Sequence, residues 1–158
     1  MYNEQKVINW FAVKSDVNQK LFPDRANRTY DLTQLRLMKL LYFAQGTYLA
    51  LYDEQLFDDK AVHANNGPMF EEAHRLYDGC RAINGKINWD QAIKDFSELN
   101  SLPKVNIVLN SVFNKYADVK TSKLVEITHQ QDPWKNTESG RELTPKALKD
   151  YFEKIVVG

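Results

Sequence analysis

Two stretches of the chain carry the spacing of a carboxylate metal centre. Residues 71–74 read EEAH and residues 126–129 read EITH, each with a glutamate three positions before a histidine. On helices, Glu71 and His74, like Glu126 and His129, would be neighbours on one side. A di-iron bundle uses two such pairs plus one glutamate from each of two further helices, all projecting into the core. The chemistry to test first is therefore metal-dependent.

Periodicity argues against it. If residues 69–77 are helical, Met69, Phe70, Ala73, Leu76 and Tyr77 form the apolar face, and Glu71 sits about 160° from its centre. In the later helix Leu124, Val125, Ile127 and Thr128 define the face, and Glu126 lies about 180° away. Both carboxylates are expected to point at water, with His74 and His129 at the boundary, and no metal or cofactor is expected. Nucleophilic chemistry has equally little support. Cys80 follows a helix end and Gly79, whereas a reactive thiolate wants a helix N-terminus, so it reads as a small buried hydrophobe. No Gly-x-Ser-x-Gly elbow, phosphate loop or dinucleotide fingerprint occurs among six glycines. His63, between Val62 and Ala64 in a β-compatible run, reads as a satisfied structural histidine. The chain is expected to be no enzyme.

Composition limits the partners. Lys plus Arg equals Asp plus Glu at 21 each, so no net field draws the chain to nucleic acid or an anionic membrane. The basic stretch PDRANR, with Arg25 and Arg28, is too slight to change that. Hydrophobic residues at 43% and aromatics at 12% suffice for a core, and a chain of 158 residues suits one domain. Cys80 is the single cysteine, which excludes an intrachain disulfide and favours a reducing cytoplasm. The start, MYNEQKVINWF, lacks signal-peptide order, and the longest uncharged run, residues 40–52, is shorter than the roughly 20 residues of a membrane span.

The elements that must position any site are mostly helical. In residues 33–52 Thr33 is the expected cap. Leu37, Leu40, Leu41, Ala44, Tyr48 and Leu51 share one face, while Met38, Tyr42 and Leu49 spread round the other side. A helix so apolar is surrounded by others. Arg36, Lys39, Phe43 and Gly46 fill the remaining strip, which is expected to meet water or a partner, with a shallow notch at Gly46. Further helices are expected at about 3–14, at 69–77, in WDQAIKDFSEL, from Pro103, from a capping Ser122, and from Thr144-Pro145. The sequence DPWKNTESGREL reads as a surface loop anchored by Trp134. The fold class is mainly α: a single compact helical domain, residues 1–158, around a buried central helix (about 33–52), with a small β element near 59–65 and 81–88. The pairing of those two segments rests on the turn signal Asn84-Gly85.

Three segments in order, LTQLRLMKLLYFAQGTYLALYDEQLF, GPMFEEAHRLYDG and THQQDPW, resemble the Panacea domain family of SocA-like antitoxins and related phage-associated proteins. The resemblance runs from about Asp31 to Trp134. It is carried by Lys39, Leu40, Leu41 and Tyr42 followed by Ala44-Gln45-Gly46, by Gly67 and Pro68, and by His129, Pro133 and Trp134. Residues HANN before Gly67, and Met69, depart from the family pattern, which bears on partner choice if the strand's edge is a contact. The resemblance implies a non-catalytic antitoxin that binds a protein toxin encoded beside it, with a protease or chaperone as a further partner if the toxin is delivered for degradation. Candidate partner-binding residues are Lys39, Tyr42, Gly46, Tyr52, Gly67 and Pro68, with Trp134 as another aromatic anchor; His129, Pro133 and Trp134 are expected to lock the DPW loop. The competing readings are a phage-encoded protein that binds a host factor and a small metal-dependent or hydrolytic enzyme.

Overall fold

The computed structural model describes residues 1–23 and 31–157. The PDRANR stretch, with Arg25 and Arg28, lies outside the described residues. Helix α1 (Glu4–Leu21) starts where the Asn3 side chain accepts from the Gln5 N–H at 2.8 Å, and it runs well past the expected end near residue 14. Its buried stretch, Val7–Val13, packs beside α4 (Trp89–Asn100). Trp10 stacks on Phe96 and donates its indole N–H to Asn100 Oδ1 at 2.9 Å, so the largest core side chain has its polar atom satisfied.

Helix α2 (Gln34–Tyr52) is the hub. Thr33 Oγ1 accepts from the Arg36 N–H at 3.1 Å, the cap expected from sequence, and the helix ends at Asp53, whose φ of 57° is left-handed. Every residue from Arg36 to Ala50 is buried, and Leu51 is exposed. Around α2 lie α5 (Pro103–Tyr116), α6 (Thr121–His129) and α8 (Pro145–Phe152), while the short α3 (Glu71–Tyr77) and α7 (Asp132–Lys135) bridge the sheet to the bundle. Helix α6 begins one residue before the expected cap, Ser122. The chain closes with a wide turn, Glu153–Val157. No helix among the described residues is long and apolar enough to cross a membrane.

The mainly helical class with a small sheet is as expected, but one strand is not where the sequence placed it. Strand β1 (Ala61–Ala64) pairs antiparallel with β2 (Gly67–Phe70) on one side and β3 (Glu142–Leu143) on the other. Segment 81–88 is no strand of this sheet. Asn84–Lys86 is a single 3-10 turn between the buried Ile83 and Ile87, and Ala82 makes only an isolated bridge to Thr33. The expectation misassigned the turn. Asn65-Asn66 closes the hairpin, and Gly67, with φ of 104°, receives the chain as it re-enters the sheet. A left-handed φ of that size is readily adopted only without a Cβ.

Candidate functional site

The strip of α2 expected to face solvent is closed, and this corrects the sequence reading. Arg36, Lys39, Phe43 and Gly46 are all buried. Each of its polar side chains holds a different neighbouring element. The Arg36 guanidinium donates to the carbonyls of Tyr116 and Val119 at 2.7 Å each and of Ala117 at 3.2 Å, so it satisfies the end of α5 and the turn after it. One turn later Lys39 Nζ donates to Pro68 O at 3.1 Å. Tyr42 donates its hydroxyl to Gln131 Oε1 at 2.7 Å, between α6 and α7. Gln45 Oε1 accepts from the Leu56 N–H at 2.7 Å while its Nε2 donates to Phe57 O at 2.8 Å, which pins the loop ahead of β1 as a neighbouring strand would. Gly46 is the crossing point of α8: a Cβ there would lie 2.3 Å from ring atoms of Phe152. The notch is filled.

Lys39, Gly67 and Pro68 form one lock. The hydrogen bond from Glu71 N to Lys60 O fixes the β1–β2 ladder so that the backbone groups of Gly67 and Met69 face β1 and those of Pro68 and Phe70 face outward. This outward edge is sealed. Proline has no N–H to offer, Pro68 O is taken by Lys39, and the Phe70 N–H donates to Met38 Sδ at 3.4 Å. A Cβ at Gly67 would meet Thr128 Oγ1 at 2.6 Å and Lys39 Cε at 2.9 Å, so glycine is required here by contact as well as by φ. Burial pushes the Lys39 amine down to about 7. The edge that sequence reading offered to a partner is occupied by this chain's own side chains.

His129, Pro133 and Trp134 meet at the other side of the hairpin. The indole of Trp134 lies between two imidazoles, with ring centroids 4.1 Å from His63 at an interplanar angle of 18° and 4.0 Å from His129 at 19°. Its N–H donates to Ala64 O at 2.9 Å. Neither histidine is satisfied as the sequence reading supposed: His63 Nδ1 and His129 Nε2 are shut from water without a hydrogen-bond partner. His129 is the last residue of α6, and its ring stacks on the indole.

The glutamate–histidine pairs do not converge. Glu71 and Glu126 are both exposed, Glu126 pairs with Lys123 at 3.2 Å, and His74 Nδ1 lies 2.9 Å from Gln34 Nε2. An indole separates His129 from His63. Among the described residues no group of three His, Cys, Asp or Glu side chains is arranged to hold a metal ion. Cys80 is half-buried against the core, its N–H donating to Tyr77 O at 3.0 Å. Of the candidate partner residues, Tyr52 and Trp134 are partly exposed, Tyr52 with Lys104 Nζ 5.0 Å above its ring; Lys39, Tyr42, Gly46, Gly67 and Pro68 are buried.

Two polar sites escaped sequence reading. Asp95 of α4 is buried between the amides of Asn9 at 2.7 Å and Gln91 at 2.9 Å, and Gln5 extends this chain to the Tyr77 hydroxyl at 2.9 Å. Asp59 caps α3 by accepting from the N–H groups of Glu72 at 3.0 Å and Ala73 at 3.1 Å. Against it lies Glu4, whose Oε2 is shut from water and finds no donor. Two carboxylates bond only when one carries a proton. Burial first, then the hydrogen bond with Asp59 and the charges of Asp59 and Glu72, push the Glu4 carboxyl up to about 9. Since the folded state then holds a proton that the unfolded chain releases, stability falls as pH rises from about 4.5 toward 9. Glu4→Gln keeps a donor at this place; urea unfolding should show near wild-type stability below about pH 4.5 and a flatter decline toward pH 9, whereas an unchanged decline would place the proton elsewhere. In sequence, a glutamate in the first turn of α1 reads as an ordinary solvated helix start.

A small sheet is fastened to a bundle whose hub helix spends its polar side chains on internal carbonyls and amides. The profile of one family, antitoxin SocA-like, Panacea domain, matches residues 37–135, and the chain belongs to this family. The matched span contains Lys39, Tyr42, Gln45, Gly46, Gly67, Pro68, Thr128, His129 and Trp134, the residues that fasten the hub, the hairpin and α7. No curated protein and no solved structure matches the chain.

Proposed function

We propose that the chain is the antitoxin of a toxin–antitoxin pair, acting in the cytoplasm as one domain over residues 1–158 and neutralising a protein toxin by direct binding. The observation that carries this reading is membership of the antitoxin family across residues 37–135. The interior supports it in kind: the hub's buried polar groups are engaged by the chain's own backbone and amides, and Glu71 and Glu126 face water instead of a shared interior site. The toxin is encoded by the adjacent gene, and the antitoxin performs no chemistry on it. In this reading Tyr52 and Trp134, both partly exposed, are the sequence candidates that touch the toxin directly, and the buried candidates act beneath the surface by fixing the elements that present it.

Co-expression tests the reading. The neighbouring reading frame, induced alone, is expected to arrest growth, and this chain to restore it while co-purifying with the neighbour's product. Toxin level separates two modes: unchanged abundance means occlusion, and lowered abundance that needs a host protease means delivery for degradation. A neighbour harmless by itself, or toxic regardless of this chain and unable to bind it, ends the proposal.

A further inference from the structure

The two orphaned imidazole nitrogens lie at one junction. His63 projects from β1, His129 from the end of α6, and Trp134 from α7, whose indole N–H is bonded to Ala64 O beside the hairpin turn. The stack and that hydrogen bond join α7 to the sheet. A neutral imidazole has one nitrogen with a proton and one without, and a nitrogen buried without an acceptor is the place for the bare one. Histidine is the side chain that ordinarily gains its second proton between about pH 8 and 5. Here the added proton must go to His63 Nδ1 or His129 Nε2, where no acceptor receives it. The face of an indole attracts one cation, but cations on both faces repel each other through a poorly solvated ring.

Among the described residues no carboxylate lies within ion-pair distance of His63 or His129. Behind the hairpin lies Lys39 of α2, whose amine, pushed down to about 7 by burial, donates to the carbonyl of Pro68, the residue opposite His63 in the β1–β2 register. On α6, Glu126 pairs with Lys123 on the outer face. Asp132 and Lys135 of α7 are exposed, as is Glu142 of β3, and Arg141 before β3 leans toward Glu138 at 3.8 Å. No carboxylate among the described residues pairs with either histidine. We infer that His63, Trp134 and His129 form an acid-released clasp: doubly charging the two imidazoles opens the stack, frees the Trp134 N–H from Ala64 O and lets α7 swing from the hairpin while the bundle stays folded. The inference is independent of the identity of any partner.

Indole N–H exchange in the full-length chain, followed by NMR and corrected for intrinsic rate, tests it. Protection at Trp134 is expected to fall about tenfold or more between pH 7.5 and 5.5, while Trp10, bonded to Asn100 in the α1–α4 core, keeps its protection within about twofold. The fall should be smaller in His63→Gln and His129→Gln and absent in the double variant. In the wild type, which needs no variant to fold, the ring signals of His63 and His129 must shift over the same pH interval as the loss. Equal protection at both pH values overturns the clasp. So does a parallel loss at Trp10, a loss that persists in the folded double variant, or a loss that follows the ring signals of the surface residue His74.

Discussion

Gly46→Trp is expected to abolish the cooperative unfolding transition of the chain. The α-hydrogen of Gly46 faces the ring of Phe152, which is buried and set edge-on to Tyr42 and Tyr151; even a Cβ would stand 2.3 Å from two ring carbons. Overpacking a filled core costs about 1–3 kcal/mol for added methylenes and more when the inserted group is large, against a total stability of about 5–15 kcal/mol. An indole at the crossing of α2 and α8 has no rotamer that avoids both helices. A milder pair of variants isolates the contact. Gly46→Ala gains about 1 kcal/mol of helix propensity but still meets Phe152, so a net loss of about 1–3 kcal/mol is expected. In a Phe152→Ala background the same change should become neutral or stabilising, because the obstructing ring is gone. Thermal and urea unfolding followed by circular dichroism reads all three; a Gly46→Trp chain that unfolds cooperatively near the wild-type midpoint would show that the two helices do not cross here.

Lys39→Met should change the pH dependence of stability strongly above about pH 7. The Lys39 amine, buried with one hydrogen bond to Pro68 O, is held at about 7 against an ordinary 10.5. Between these values the unfolded chain binds the proton that the folded chain lacks, so the Lys39 contribution to stability rises with pH from about 7 to about 10.5. Below about 7 both states are charged and the penalty is complete, on the order of 4 kcal/mol. Methionine is an unbranched side chain without a charge, but it leaves Pro68 O unbonded at a cost of about 1–3 kcal/mol. The variant is therefore expected to match or exceed wild-type stability at pH 6 and to fall below it by pH 9.5. Glu4 adds an opposing slope to both proteins, so the difference between them is the quantity to plot. A difference that does not vary with pH would mean that the amine is charged throughout and has solvent or a carboxylate beside it.

These two residues also show where the sequence was legible. The central helix, its Thr33 cap, the burial of its apolar faces and the helix opened by Thr144-Pro145 follow from period and cap chemistry, which are local properties. The strip Arg36–Lys39–Phe43–Gly46 was misjudged because charged or minimal side chains on a helix ordinarily mark its wet side. Their true partners are backbone carbonyls of α5 and β2 and a ring of α8, contacts made by the fold and absent from any local window. The hairpin was missed for a different reason. Asn66-Gly67-Pro68 reads as a chain breaker, yet Pro68 sits at an edge position where the missing N–H costs nothing, and the strand continues through it. Strand β3 has only two residues and joins β1 from far along the chain, too brief for alternation to register. At the candidate site, the motif residues were found from resemblance and the anchoring of the DPW segment from its tryptophan. The facing histidines were not, since His63 and His129 are distant in sequence and stacking leaves no spacing signature.

The closed rim of β2 governs the style of recognition open to this molecule. Binders that lengthen a sheet read main-chain groups and so accept many sequences; with Pro68 lacking a donor, and its carbonyl and the Phe70 amide engaged by α2, that indiscriminate mode is barred along this side. Under the proposed function, specificity toward the toxin lies in outward-facing side chains of the peripheral helices and loops, which can be exchanged without disturbing the fasteners beneath. One frame can in this way be refitted to new targets while its internal joinery stays the same.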